Sequence, residues 1–289
     1  MQILINGLIS GSAIALLAVA FQAVYLPTRV FFMGLAGIYA ATPFIAYSCQ
    51  HHGLPWPLSI AAAAVAAIGL SWLFEWANHA PLARKKAGEG VHLVSSLGLY
   101  IATVQIVAMI WGNDPKTLRI GLDYVSRFDG LVITGAQWIT FTVGAVALSG
   151  FAFFLRRSNL GLRLRAMADN PVQFALFGYN VNAHRYLAFG LCGAFAAAAS
   201  LVTAYDIGFD PHGGLHAVLL AVVAVIVGGQ GSFLGPVLGG MILGILRTQV
   251  VWHFSARWQE AATFGLLAVF LMLRPQGILG RETRLEASK

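Results

Sequence analysis

Helix-capping residues and basic residues are combined in the polar segment 156–183 of the chain. The order Asp169, Asn170 and Pro171 is typical of a helix N-terminus, with the proline at the first helical position. Gly178 is of the residue type that ends a helix in a left-handed cap. The pattern predicts a short, rigid helix that a partner protein with a groove could hold and push. The alternative is a basic loop lying on anionic lipid headgroups, which topology alone favours.

A glycine-rich stretch, residues 227–240 (VGGQGSFLGPVLGG), has six glycines in fourteen residues. Gly235 and Gly239 are four residues apart, and small residues at this spacing let two membrane helices approach closely. The stretch predicts a tight hairpin between two helices. A ligand-binding role for Gln230 or Ser232 is the alternative, and the glycine spacing favours helix packing over it.

Motifs for enzyme chemistry are missing from the sequence. The chain has neither a GxxxxGK[ST] phosphate-binding loop nor an HExxH zinc motif. Ser10 and Ser12 lie in an apolar segment that has no histidine base, and Cys49 and Cys192 form no disulfide or metal pattern. We therefore expect no catalytic residue, no metal site and no cofactor in this chain, and we expect that it is not an enzyme.

The elements that position these motifs are predicted to be membrane-spanning helices. Of the 289 residues 58% are hydrophobic and 10% are charged, and the mean hydropathy is +0.75, whereas a soluble domain has about 25% charged residues. Nine apolar segments have roughly the length that crosses a bilayer core of about 30 Å. They cover residues 2–24, 30–49, 54–76, 91–111, 134–155, 184–205, 214–229, 235–252 and 257–273.

This pattern predicts an all-α integral membrane protein with a single transmembrane domain, residues 1–289, and eight or nine membrane segments. Pro43 interrupts the second segment, and the seventh is short and ends in glycines. Either segment is a candidate for a broken or re-entrant helix, which membranes tolerate where the backbone is buried in protein.

The distribution of basic residues predicts the orientation in the membrane. With the N-terminus outside and the C-terminus in the cytoplasm, thirteen of the eighteen Lys and Arg residues lie on the inner side. The loop 156–183 is then cytoplasmic, and the loop 112–133 is periplasmic. The net charge of +7 thus reflects membrane topology, and we expect no nucleic acid partner.

Polar residues inside the apolar segments are candidates for a transport path, because burying them in lipid is costly. The alternative for each is a hydrogen bond between helices. Arg247 is expected to point outward or to meet Asp206 or Asp210, and Glu75 is expected to pair with the basic residues 84–86. The polar candidates are Gln22, Ser95, Ser96, Thr103, Gln105 and Arg247.

Four segments together resemble the permeases of the branched-chain amino acid ABC importers, nearly from end to end. They are 6–16 (NGLISGSAIAL), 159–171 (NLGLRLRAMADNP), 228–232 (GGQGS) and 274–280 (RPQGILG). Each segment alone is a weak signal, but their order and spacing together are specific.

The resemblance implies the membrane-spanning subunit of an importer in the bacterial inner membrane. Two ATPase subunits would bind ATP and Mg²⁺, a second permease (homologous or a copy of this chain) would pair with it, and a periplasmic binding protein would deliver branched-chain or related hydrophobic amino acids. Amides and urea are the next candidate solutes. The implied coupling residues are Arg163, Arg165, Asp169, Asn170, Pro171, Phe174, Ala175 and Gly178. The diagnostic hairpin is Gly228, Gly229, Gln230, Gly231, Ser232 and Gly235, and the candidates for the transport path are Phe32, Ser95, Ser96 and Gln105.

The chain departs from the family pattern at several positions. The segment 32–37 lacks a polar element common in the family, Gln173 replaces a glutamate, and an apolar residue near Leu220 replaces a lysine. Two alternatives stay open at this point. A stand-alone secondary transporter or channel would need a site for a coupling ion, and a scaffold or intramembrane enzyme would need a catalytic pair.

Overall fold

The structure is a computed structural model that describes residues 1–119, 124–128, 131–274 and 276–280. Within these ranges most residues are α-helical. The helices are α1 (Gln2–Thr28), α2 (Leu35–His51), α3 (Trp56–Phe74), α4 (Ala80–Arg84), α5 (Glu89–Trp111), α6 (Gly135–Arg157), α7 (Asn159–Asp169), α8 (Pro171–Leu176), α9 (Val181–Asp206), α10 (Gly213–Gly228), α11 (Gly235–His253) and α12 (Gln259–Leu273). A π-helical segment, Glu75–His79, joins α3 to α4.

Each of the nine predicted segments overlaps one of these helices. Not all nine of these helices are long enough to span a membrane. In the described part of the chain, six candidate spans meet the length and composition needed: α1, α5, α6, α9, α11 and the continuous helix Trp56–Arg84. The helices α2, α10 and α12 have 17, 16 and 15 residues. At 1.5 Å per residue they reach about 25 Å or less, which is short of a 30 Å core. The count of eight or nine spans is therefore not confirmed.

Helix α2 continues through Pro43 without a break. Proline has no N–H, so the carbonyl of Tyr39, four residues earlier, loses its donor within the helix. The hydroxyl of Ser200 on α9 donates to this carbonyl at 2.5 Å. The irregular backbone comes earlier, where Arg29 has a φ of 56° and α2 begins at Leu35 instead of the predicted residue 30.

Helices α1 and α11 are antiparallel and are in direct backbone contact. A Cβ atom built on Gly244 would lie 2.3 Å from the Cα atom of Gly11, and one on Gly240 would lie 2.6 Å from the Cα of Ala15. A Cβ on Gly7 would meet the Cα of Ile245 at 2.8 Å. Only glycine permits this approach, which is the packing expected of small residues four positions apart.

The sequence predicts an all-α protein, but the described residues also include two short β-strands. Strands β1 (Val125–Phe128) and β2 (Leu131–Thr134) pair antiparallel within the loop that the sequence analysis left without structure. Gln2 of α1 holds β2, because its side chain exchanges hydrogen bonds of 2.6 and 2.9 Å with the backbone of Val132. A second anchor joins Lys116 to Phe209 through two backbone hydrogen bonds of 2.9 and 2.8 Å.

Ser200→Ala is expected to lower the free energy of unfolding by about 1 kcal/mol, because the Tyr39 carbonyl would be left without a donor. The loss should shrink in a Pro43→Ala background, where residue 43 regains an N–H that bonds to the same carbonyl. Reversible denaturant unfolding of the four proteins in detergent micelles measures this coupling. An equal cost of Ser200→Ala in both backgrounds would contradict the assignment.

Gly244→Ala should destabilise the protein by about 1–3 kcal/mol, because the new methyl group would overlap the backbone of α1. The matched control is Gly150→Ala on α6, where an added Cβ meets no atom within 4 Å and the helix gains propensity. Thermal unfolding in detergent should separate the two variants. Equal stability of the two would refute the close contact between α1 and α11.

Candidate functional site

The two ends of the helix bundle differ in what they present. We call the end that carries α7, α8 and the turn between α10 and α11 the α8 face. The end at which α1 begins is called the opposite face. The segments singled out by their capping residues and glycines lie at the α8 face, whereas a polar cavity enters from the opposite face.

Helix α8 is a six-residue helix capped at its N-terminus, as the sequence predicts. The side chain of Asn170 accepts hydrogen bonds from the backbone N–H groups of Val172 and Gln173, both at 3.0 Å. Pro171 takes the first helical position, and Gly178 follows the helix with a φ of 82°. Asp169 instead ends α7, so the cap is Asn170 alone.

Aromatic side chains hold α8 against the bundle. The buried ring of Phe174 stacks on Tyr179 at a centroid distance of 5.0 Å and meets His184 edge-on at 4.9 Å. The guanidinium group of Arg163, on α7, lies over the ring of Tyr179 at 5.0 Å from its centroid. Phe174 is only 3% exposed, so it anchors α8 and is not part of its outer surface.

The outer surface of α8 is apolar. Val172 is 68% exposed, Leu176 82% and Phe177 80%, and Ala175 lies between them on the exposed side. Val172 and Leu176 lie on α8 and Phe177 follows it, and Gln173 is exposed beside them. Three large apolar side chains this exposed within six residues are rarely left without a partner. Arg165 is also exposed at this face. Sequence reasoning placed Phe174 in this set and missed Leu176 and Phe177.

A buried ion pair connects the start of α9, just after α8, to the end of α3. Arg185 binds Glu75 through two hydrogen bonds, Nε to Oε1 at 2.6 Å and Nη2 to Oε2 at 3.1 Å. The sequence analysis expected Glu75 to pair with the basic residues 84–86 at the membrane surface. That expectation is wrong, because the fold brings in an arginine 110 positions away. A bidentate pair of this kind fixes both position and orientation.

The glycine-rich turn 229–234 is held by its neighbours at the α8 face. The side chain of Gln22 on α1 donates to the carbonyls of Gln230 at 2.6 Å and Ser232 at 3.1 Å. A Cβ on Gly235 would lie 2.7 Å from the carbonyl oxygen of Gly228. Gln22, one of the polar candidates for a path, therefore supports the turn, and Gln230 and Gly231 are exposed at its tip.

Residues 276–280 of the motif 274–280 complete this turn. The N–H groups of Ile278 and Leu279 donate to the carbonyls of Val227 and Gly228 at 3.0 and 2.9 Å. These carbonyls are among the last in α10, which have no partner inside the helix. Gly229 has a φ of 114°, and a Cβ on it would lie 2.5 Å from the backbone nitrogen of Gly280. The two motifs that lie far apart in sequence thus form one unit.

Three of the four candidates for the path lie in the half of the bundle nearer the α8 face. Phe32 is buried, with its ring 5.1 Å from that of Phe189. Ser95 donates to Asn78, and Ser96 accepts the N–H of Met33 at 3.1 Å. Gln105 is exposed on the outer side of α5. None of the four lines the cavity described below, and their part in transport stays a prediction.

A cavity of about 450 Å³ enters the bundle from the opposite face. Its size falls in the range of small-molecule sites. The cavity is bounded by parts of α1, α2, α6, α9, α10 and α11 and by the linker between α9 and α10. The polar and charged lining residues are Asn6, Ser10, Tyr39, Gln137, Thr140, Ser200, Thr203, Asp206, Asp210, His216 and Arg247.

Arg247 is the one candidate for the transport path that lines the cavity, but its partners differ from those expected. Its Nη1 donates to Glu260 at 3.0 Å and to Thr263 at 3.2 Å, and its Nη2 lies 3.5 Å from Gln259. All three observed partners lie on α12. Asp206 and Asp210, the partners expected from the sequence, line the same cavity. The other polar lining residues form no pattern in the sequence, since they come from five helices and a linker.

Comparisons with known proteins cover nearly the whole chain. A family model described as a branched-chain amino acid transport system permease component matches residues 3–273. BraD of Pseudomonas aeruginosa, a high-affinity branched-chain amino acid transport system permease protein, is 30% identical over 97% of this chain and 96% of its own length. LivH of Escherichia coli K12, described in the same words, is 27% identical over 97% and 96% of the two chains.

One solved structure is similar in fold. The structure is PsaBC from Streptococcus pneumoniae in complex with Fab, and the match covers 96% of this chain and 93% of that chain with a TM-score of 0.54. The sequence identity is 14%. At this identity the likeness concerns the arrangement of helices alone.

Gly229→Ala should release the segment 276–280 from the turn, because the methyl group would overlap Gly280. Limited proteolysis with chymotrypsin should then cut after Leu279 faster than in the parent protein. Gly53→Ala is the matched control, since Gly53 also has a positive φ, 80°, but an added Cβ meets nothing within 4 Å. Similar cleavage of both variants would show that backbone strain, and not the contact with Gly280, is responsible.

Proposed function

The chain belongs to the family of branched-chain amino acid transport permeases and is a multi-pass membrane protein, and from this we propose that it is the membrane-spanning subunit of an ABC importer. Its solutes would be branched-chain or related hydrophobic amino acids. The observation that carries the ABC assignment is the capped, apolar and exposed helix α8. A transporter that works alone has no need of such a projection.

Helix α8 is suited to be the coupling helix, the projection that sits in a groove of an ATPase subunit. Val172, Leu176 and Phe177 would enter the groove, and burial of three such side chains contributes about 1.5–3 kcal/mol each. Phe174 would stay within the permease and keep α8 at a fixed angle. The ATPase subunits would supply ATP and Mg²⁺, since the sequence has no phosphate-binding loop of its own.

The proposed assembly has two ATPase subunits, this permease and a second permease, which is a homologue or a copy of this chain. Basic residues at the α8 face support its placement in the cytoplasm of a bacterium, with the chain in the inner membrane. The opposite face, with the hairpin of β1 and β2, would then meet a periplasmic binding protein. The cavity would open toward that protein.

The contacts around α8 suggest how movement would reach the membrane helices. Force on α8 passes to α9 through the ring contact between Phe174 and His184. Arg185, next in the chain, is locked to Glu75, so α9 and the helix Trp56–Arg84 would tilt together. Closure of the ATPases would in this way turn one group of helices against another and switch access to the cavity. No chemical step in this chain is needed.

Leu176→Glu should abolish binding of the ATPase subunits while the permease still inserts in the membrane, because a carboxylate would be buried without a partner. The matched control is Phe254→Glu at the opposite face, where the side chain is similarly exposed, 77% against 82%. Co-purification of ATPase subunits from the native host, through a tag on the permease, measures the effect. ATPase recovery at the parent level with Leu176→Glu would refute the proposed docking.

A further inference from the structure

The cavity has the position and the depth of a solute site within one subunit. Its lining runs along α1 from Asn6 to Leu17, which is about 16 Å at 1.5 Å per residue. It therefore begins at the opposite face and ends near the middle of a 30 Å bilayer core. Beneath it, α1 is completely packed, since Leu16, Phe21 and Val24 are buried. The cavity is thus open to one side and closed to the other.

We propose that this cavity binds the zwitterionic head of an amino acid between Arg247 and the carboxylates of Asp206 and Asp210. The proposal rests on the proposed function for the class of the solute and adds the site and the role of each residue. Neither the family match nor the relatives assign a solute site to these positions.

Charges of both signs line the cavity, and they lie on different helices. Asp206 ends α9 and Asp210 precedes α10, whereas Arg247 lies on α11. A zwitterion carries one charge of each sign a few ångströms apart, so it needs both kinds of partner in one site. An inorganic anion or a simple amine would engage only one of the two kinds of side chain.

Arg247 retains donors for a carboxylate. A guanidinium group has five N–H donors, and three bonds within the described residues engage Glu260, Thr263 and Gln259. These bonds fix the orientation of the side chain, which is mostly buried. The remaining donors suit the forked geometry of a carboxylate. Held this way, Arg247 is pre-organised and little freedom is lost on binding.

Asp210 is fixed in a similar way. Its Oδ1 accepts hydrogen bonds from the N–H groups of His212 at 2.8 Å and Gly213 at 3.0 Å. Among the described residues its Oδ2 accepts none, which leaves this oxygen for an ammonium group. Asp206, four residues earlier at the end of α9, lines the same cavity.

The floor of the cavity suits an apolar side chain. Ile14 and Leu17 of α1 and Ala217 and Leu220 of α10 line its inner part. A leucine or isoleucine side chain would lie here, with the charged head toward the mouth. The resemblance implies that the family has a lysine near Leu220, where this sequence is apolar.

The test uses protection of a cysteine inside the cavity. Ser10→Cys is introduced in the full chain with Cys49→Ala and Cys192→Ala, and its labelling by a membrane-impermeant maleimide is followed in membrane vesicles. L-Leucine at about ten times its Kd should slow labelling about tenfold. The analogues 4-methylpentanoate, which lacks the ammonium group, and isopentylamine, which lacks the carboxylate, should protect far less. Labelling of His52→Cys, outside the cavity, should be unchanged.

Neutral substitutions test whether Arg247 binds the carboxylate of the amino acid. Arg247→Gln together with Glu260→Gln removes both members of the existing ion pair, so that no charge is left without a partner, and protection by L-leucine should be lost. Arg257→Gln, a basic residue at the same face outside the cavity, should leave protection intact. Protection of the Arg247 and Glu260 double variant at the parent level, or equal protection by leucine and isopentylamine, would overturn the proposal.

The outcome is independent of the ATPase test, because the vesicles contain the permease without nucleotide. Protection by L-leucine together with parent-level ATPase recovery from Leu176→Glu would uphold the cavity site and refute the coupling role of α8. Loss of ATPase binding in Leu176→Glu without any protection by leucine in the parent chain would uphold the importer and refute the cavity site.

Discussion

The backbone contact between α1 and α11 is the constraint on which the arrangement of the other helices depends. Between helices in lipid there is little hydrophobic gain, so close van der Waals packing must supply the attraction. Gly11 and Gly244 bring the two backbones together on one side of α11. On its other side Gly239 packs against the carbonyl of Ala224 on α10. Helix α11 is thus held between α1 and α10, and the cavity and the turn 229–234 lie at opposite ends of this group.

Local features of the fold could be predicted from the sequence, because their causes are local. Apolar segments predicted the helices, and the order of Asn170, Pro171 and Gly178 predicted the caps of α8. Features that depend on distant residues could not be predicted. The sequence shows that Pro43 removes a donor, but nothing near it shows that Ser200 replaces that donor. The count of membrane spans is not confirmed, because α2 begins five residues after its predicted segment does and α10 and α12 have only 16 and 15 residues.

In the candidate site, too, contacts between residues far apart in the sequence could not be predicted. Sequence reasoning assigned Glu75 to the nearest basic residues, whereas its partner comes from another helix. The resemblance to a family supplied Phe174 as a coupling residue, but only the structure shows that its ring faces inward. The cavity was missed because eleven polar residues from six helices and a linker line it. No window of the sequence contains enough of them to form a pattern.

The pairing of residues 278 and 279 with the end of α10 has a consequence for biosynthesis. The carbonyls of Val227 and Gly228 receive their donors from a segment about fifty residues downstream. At about 5–20 residues per second, a ribosome needs several seconds to make that stretch. During this interval the end of α10 must rely on water or on the translocation machinery for its hydrogen bonds. The end of α10 thus gains its last hydrogen-bond donors only after residues 278 and 279 have been made.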